Sequence, residues 1–312
     1  MHGEAPSWKV WTALGAVYVI WSTTFLGIKV TNETMPPMLA AAVRFIVAGA
    51  LLYAVAIRFG YRVGDRPLHR HWREAAIVGG LLMVGGNGGI VLAERTIPSG
   101  WAGLAIGSVP LWIAAIDRFV LHRRQPRGVV VGLVVGFAGV ALLVAGSAGG
   151  GTSTSGMLLA IAAAMSWATG SVYQRHASLP ARPFVAAGME MLLAGGMFVV
   201  AGAVRGELGS IDPASFSRAS ILALAYLIVA GSWIGFTAYL WLLRNARTSL
   251  VSTYAYVTPV GAVIVGALAI GEPITPRMVI AGALILAAVA GIVSSNRSET
   301  GQERRPKIET QV

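Results

Sequence analysis

The chain contains no cysteine, so disulfides, thiolate nucleophiles and cysteine metal sites are all excluded. Charge is also scarce. Only 12% of residues are charged, about half the roughly 25% of a soluble domain. Acidic residues are the scarcer kind, with 13 Asp and Glu against 24 Lys and Arg. No HExxH, phosphate-loop or GxSxG motif occurs, so ATP-driven transport by this chain alone and ordinary hydrolase chemistry have no support. We assign no catalytic residue, no cofactor and no metal site. The five histidines (His2, His69, His71, His122, His176) fall between apolar runs, and His69-x-His71 reads as solvated rather than metal-binding.

What the chain does have is apolar length. Of 312 residues 55% are hydrophobic, the mean hydropathy is +0.69, and 39 are glycine. A chain this apolar cannot hide its surface inside a soluble globule. Runs of about 20 apolar residues read as membrane spans, and glycine is used where such spans approach closely. Ten runs can be counted, over 9–30, 38–57, 74–93, 99–121, 128–147, 156–173, 184–204, 219–242, 249–270 and 278–294. Pro110 and Pro259 lie inside runs, which a membrane bundle tolerates when neighbours satisfy the freed carbonyls. The first run exceeds a signal-peptide core of about 7–15 residues, and nine more follow.

The net charge of +11 invites a nucleic-acid reading, but the basic residues cluster at run ends, a few at a time. With the N-terminus in the cytoplasm, 18 of the 24 Lys and Arg face inward, five face outward (Lys29, Arg95, Arg205, Arg218, Arg277), and Arg44 is intramembrane. That bias places both termini inside a plasma or bacterial inner membrane, with lipid as partner and no nucleic acid. The polar tail 295–312 is expected to be disordered, and the Gly, Ser and Thr of 148–155 to form a flexible joint.

One pattern is written twice. Pro36-Pro37 leads into an apolar run with Arg44 inside it, and Arg182-Pro183 leads into one with Glu190. An offset of 146 carries Pro37 to Pro183, Arg44 to Glu190, Gly49 to Gly195 and Trp21 to Trp167. Later the offset drifts, with Pro110 meeting Pro259 and Pro126 meeting Pro276. The runs thus fall as five plus five, over 9–147 and 156–294. Five is odd, so the second half must enter the membrane from the opposite side. The expected fold is an all-α polytopic membrane protein, ten transmembrane helices as two inverted five-helix repeats. Arg44 and Glu190 then sit about 10 Å deep from opposite faces. They form either one salt bridge near the middle or two separate sites.

The resemblance to a known family rests on particular stretches. They are Ile20-Trp21-Ser22-Thr23-Thr24-Phe25, Pro36-Pro37 with Val43-Arg44-Phe45, Gly86-Asn87-Gly88 leading to Ala93-Glu94, and Ile97-Pro98-Ser99-Gly100 with Val109-Pro110-Leu111. Ser166-Trp167, Gly170 to Tyr173, Met189-Glu190-Met191, Ser252 to Pro259, and Gly271-Glu272-Pro273 add to it. From about Trp11 to Gly291 the chain resembles the EamA-type transporters of the drug/metabolite transporter superfamily, and within them the YedA-like bacterial inner-membrane group. The first half departs at Arg123-Arg124, where the second has Glu272-Pro273. The resemblance implies ten helices in inverted repeats and movement of a small organic solute, usually outward.

An intramembrane charge is a site candidate by default. Glu190 suits proton coupling or a cationic group, because a low dielectric favours the neutral carboxyl; the alternative is a static partner of a nearby Arg or helix end. Arg44 suits a substrate carboxylate, or pairing with helix carbonyls or Glu190. Glu94 reads as a solvated gate residue paired with Arg95 or Lys29. Asn87, among four glycines, reads as a hydrogen-bonding handle on a cavity, or as a satisfied amide in close packing. Trp21 and Trp167 are the cavity aromatics because they are repeat mates. Ser252, Tyr256 and Pro259 at i, i+4, i+7 read as a pore-facing stripe or as inter-helix bonding. Gly128, Gly132 and Gly136 favour a close helix contact, in the bundle or across a homodimer. The expected activity is secondary-active export of a small amphipathic metabolite, amino acid or drug by alternating access, with a proton as possible coupling ion. The alternative is an uncoupled facilitator or exchanger.

Overall fold

The computed structural model describes residues 7–58, 67–147, 153–246, 248–251 and 253–303, and every regular element among them is helical. Ten helices follow in order: α1 (Ser7–Thr31), α2 (Pro37–Arg58), α3 (His69–Ala93), α4 (Ser99–Val120), α5 (Arg127–Ser147), α6 (Thr154–Gln174), α7 (Pro183–Val204), α8 (Arg218–Leu243), α9 (Tyr254–Ile270) and α10 (Pro276–Glu303). Nine contain stretches long and apolar enough to cross a membrane, and α9 is a shorter apolar helix of 17 residues. The expected ninth run is therefore trimmed at its start. A single turn, Thr248–Val251, precedes α9. At the chain's end α10 stays helical to Glu303, where disorder was expected from 295. Propagating a helix adds one hydrogen bond per residue, and residues 295–303 contain no proline to stop it. Most of the expected joint at 148–155 lies outside the described residues; Ser153 begins the next helix by accepting from Gly156 N at 3.3 Å.

Small residues decide which helices meet. The most extensive contact is α2 on α7, and the two run antiparallel. Gly202 faces Leu39, Gly195 faces Ile46, Gly49 faces Met191, and Gly188 faces Tyr53. Between apolar helices in lipid there is no water to expel, so van der Waals contact through small residues carries the association. The α5–α10 seam works the same way. Gly132 meets Ile292, Gly136 meets Ala288 and Leu111 of α4, and Gly139 meets Ile285. The glycine stripe of α5 is thus used inside the bundle, and Gly128 is left exposed. A third antiparallel pair joins α4 to α9, with Gly103 on Ala262 and Gly107 on Pro259.

The remaining large contacts run crosswise: α1 lies on α8 and α9, while α6 lies on α3 and α4. The pairing pattern is unchanged when each helix is exchanged for the one five places along. The backbones follow suit. Both α3, at Gly80–Gly88, and α8, at Leu227–Ile234, open into wide turns of π type, which recur at functional sites. Trp167 of α6 packs on Gly86 of the first wide turn, and Trp21 of α1 packs on Gly235 just past the second. One buried apolar cluster runs through both halves, from Phe25 to Ile292. The outer faces expose large apolar side chains such as Val134, Val200, Leu222 and Leu268, a surface that a bilayer covers.

A methyl group on Gly195 would stand 2.9 Å from Ile46 N, on backbone that cannot yield. Gly195→Ala is expected to cost about 1–3 kcal/mol by overpacking. Gly196→Ala, with nothing within 4 Å, is expected to stay within about 0.5 kcal/mol of the parent. Thermal unfolding of the two variants in the same detergent tests the seam.

Candidate functional site

Between the halves lies a cavity of about 760 Å³, within the usual range for small-molecule sites of about 300–1,000 Å³. Its wall takes Trp21 from α1, Arg44 from α2, Asn87 from α3, Trp167 from α6, Ser232 from α8 and Tyr256 from α9. At one end it reaches the helix termini, at Asp117, Gln125, Arg175 and Leu243. Toward the other end the wall closes at Ile28, Arg44, Ile90 and Thr258.

The glycine-rich wide turn of α3 puts Asn87 on the wall, where its Nδ2 donates to Met83 Sδ at 3.8 Å. Its glycine neighbours pack instead, Gly88 on Phe198 and Gly89 on Ala163. Trp21 heads an aromatic wall, with ring centroids 5.1 Å from Tyr239 and 4.9 Å from Tyr254. Tyr256 lines the cavity, and its hydroxyl donates to Val289 O at 3.4 Å. Ser252 lies outside the described residues.

Arg44 is 6% exposed. Its Nε donates to Ser232 Oγ at 2.9 Å, and its guanidinium lies 4.9 Å from the Phe45 ring, which stacks on Phe198. Among the described residues no carboxylate stands within ion-pair distance of it. Glu190 is elsewhere. It is buried behind the wall, and its Oε1 accepts from Gln174 Nε2 at 3.1 Å. Gln174, not Glu190, faces the cavity. The two intramembrane charges are separate sites.

Glu94 departs most from expectation. It is fully buried rather than solvated. Lys29 Nζ donates to the main-chain oxygens of Glu94 and Ile97, at 2.6 and 3.1 Å, and not to the Glu94 carboxylate. Neither carboxylate oxygen has a hydrogen-bond partner among the described residues. The cause is the tight link into α4: Arg95, Thr96 and Ile97 all bond back to the last turn of α3, turning Arg95 out and Glu94 in.

Two further carboxylates hold the closed end. Gly271, at φ 67°, ends α9 in a left-handed turn that only glycine enters freely. The turn swings Glu272 onto the start of α4, where it accepts from Ser99 N at 2.7 Å, Ser99 Oγ at 2.9 Å and Gly100 N at 3.0 Å. Glu207 caps α2 likewise, accepting from Met38 N at 2.9 Å and Leu39 N at 3.1 Å. In each case a carboxylate of the second half meets the positive end of a helix dipole in the first. Glu272 was legible as a Gly-Glu-Pro turn signal. Ser232 and Gln174 carry no signal in the sequence; only the fold brings them to Arg44 and Glu190.

A helical bundle with an apolar outer surface, around a largely apolar cavity carrying a few polar groups, is the build of a multi-pass membrane transporter. The chain belongs to the EamA-like transporter family, which matches it twice, over residues 7–145 and 154–294. It is 36% identical over 281 residues to the uncharacterized inner membrane transporter YedA of Escherichia coli (strain K12), across 89% of this chain and 88% of that one. It is 28% identical over 293 residues to a probable amino-acid metabolite efflux pump of Salmonella typhimurium (strain LT2), across 87% of this chain and 90% of that one. A solved crystal structure 25% identical in sequence superposes with a TM-score of 0.62, covering 95% of this chain and 100% of its own.

Replacing Glu272 with Ala strips three hydrogen bonds from the start of α4. Loss of a helix cap costs about 0.5–2 kcal/mol. The expected result is a lowered unfolding temperature in detergent, largely restored by Glu272→Asp.

Proposed function

We propose that this chain is a secondary-active exporter of a small amphipathic metabolite bearing a carboxylate, an amino acid being the leading example. It works by alternating access between two inverted five-helix halves. The observation that carries the reading is a single cavity walled by both halves, open at one end and closed at the other. The antiparallel course of the mates α2 and α7, α4 and α9, and α5 and α10 fits a repeat axis lying in the membrane plane. In this reading both termini are cytoplasmic and the open end, with Asp117, Gln125 and Arg175, faces the cytoplasm, so the site loads from inside. The Salmonella relative, named an amino-acid metabolite efflux pump, points the same way.

Each wall residue then has a task. Arg44, held by Ser232, takes the solute carboxylate. Trp21 and Trp167 bracket its apolar part, Asn87 offers its amide to polar atoms, and Tyr256 adds its hydroxyl from α9. Glu190 positions Gln174 on the wall. The Gly132 and Gly136 face is taken by α10, so a homodimer would use another face. The second reading is a facilitator or exchanger without ion coupling, and an imposed pH gradient separates the two.

The test is flux from purified protein in liposomes preloaded with amino acids and small cationic drugs, with and without that gradient. The expected outcome is selective loss of one amino acid. Arg44→Gln is expected to slow it at least about tenfold, since a charged hydrogen-bond partner is worth about 1.5–3 kcal/mol. Glu190→Gln is expected to leave the pH dependence unchanged. Selective loss of a cationic drug, indifferent to Arg44→Gln, would overturn the carboxylate reading.

A further inference from the structure

The closed end of the cavity holds a charge that no part of solute binding uses. Glu94 is fully buried at the junction of α3 and α4, and neither oxygen has a partner among the described residues. Three charged groups act on it from the elements around it: Lys29 of α1, Arg44 of α2, and Glu272 of the turn after α9. Each is committed elsewhere. Lys29 Nζ is bound to two main-chain oxygens, Arg44 Nε to Ser232, and Glu272 to the start of α4. Arg95, the next residue along the chain, is exposed and turned away.

A carboxylate shut away from water with no hydrogen bond has little to offset its lost hydration; the neutral acid avoids that cost. Arg44 connects this group to the cavity. It lines the cavity on one side and, on the other, a crevice of about 10 Å³ with Thr31, Asn32 and Val91. Asn32 Nδ2 donates to Val91 O at 2.8 Å, one turn before Glu94. Arg44 therefore borders both the cavity and that crevice, and its charge acts on Glu94.

We propose that Glu94 is the proton-binding site of this transporter, and that a proton and the solute carboxylate cross the membrane together. The proposal rests on Arg44 as the carboxylate's partner. A carboxylate on Arg44 cancels positive potential that otherwise favours ionised Glu94, so proton and solute bind cooperatively. Glu94 takes its proton from cytoplasmic water by way of the cavity. When the closed end opens, water reaches Glu94, the proton leaves to the outside, and the ionised carboxylate competes for Arg44 and expels the solute. The sign is that of a symporter: efflux is driven by the carboxylate's own outward concentration gradient, carries protons outward against an inward proton gradient, and runs faster from an acidic compartment.

Two arms test this on the full-length protein. The first needs no solute. Infrared difference spectra of wild type against Glu94→Gln, at neutral pH in lipid nanodiscs, are expected to show a protonated-carboxyl stretch present only in wild type. Absence of that band would overturn the proposal. The second arm uses liposomes loaded with L-phenylalanine and a lumenal pH dye. Wild-type efflux is expected to make the lumen alkaline and to be at least threefold faster from an acidic lumen. Glu94→Gln is expected to keep phenylalanine exchange but lose both effects, and Glu94→Asp, which still titrates, to retain them. Lumenal acidification during efflux, or alkalinisation surviving in Glu94→Gln, would overturn the proton site. If Arg44→Gln abolishes flux while Glu94→Gln behaves as wild type, the carboxylate pocket stands and the proton site falls. If wild type carries no phenylalanine, the carboxylate reading fails for this probe, and the infrared arm still decides Glu94.

Discussion

The antiparallel seam between α2 and α7 is the constraint on which the other arrangements depend. In lipid, helices gain little by hiding apolar surface from one another, so they associate where backbones come close. Gly49, Gly188, Gly195 and Gly202 allow that approach. Because the two helices are locked face to face, the charge each carries is held at a set depth. Arg44 turns toward α8 and the cavity, and Glu190 turns toward α6. The seam thus keeps the opposite charges of the two repeats from meeting and leaves each with a neutral partner, Ser232 and Gln174.

A neutral partner has a consequence for chemistry. A buried ion pair satisfies itself and has little left for a solute. A guanidinium anchored at Nε by a serine hydroxyl remains available to an anion entering the cavity. The carboxylates divide by the same criterion. Glu207, through one oxygen, and Glu272, through both, accept from helix N-termini and hold structure. Glu94 has no such donors. How far each buried carboxylate is satisfied is thus a matter of donors within reach.

The wide turns of α3 and α8 show how the backbone serves the cavity without breaking. Glycines in α3 let Trp167 and Ser166 press against the helix, and the extra residue per turn shifts Asn87 onto the wall. Trp21 against Gly235 repeats the contact in the other half. Two tryptophans recognised as mates by their spacing thus come to the same cavity on equivalent seats.

Much was legible in the amino-acid order because it is set locally. Apolar length determined the helices, the absence of cysteine and of nucleotide motifs excluded whole chemistries, and the spacing of Pro37, Arg44 and Trp21 from their mates marked the repeat and named Trp21, Arg44 and Trp167, which line the cavity. What stayed hidden depends on contacts between residues far apart in the chain. The order placed Glu94 at a helix end, where a charge normally finds water, but the tight link into α4 folded it inward. It left Arg44 and Glu190 as either one salt bridge or two sites, and packing gave each a different neighbour. Ser232 and Gln174 are ordinary polar residues until α8 and α6 bring them against a charge. Sequence sets which groups enter the membrane, because that is decided by length and hydropathy. Only the tertiary structure decides which of them remain unsatisfied there, because a hydrogen bond needs a partner at about 3 Å, and that partner comes from another helix.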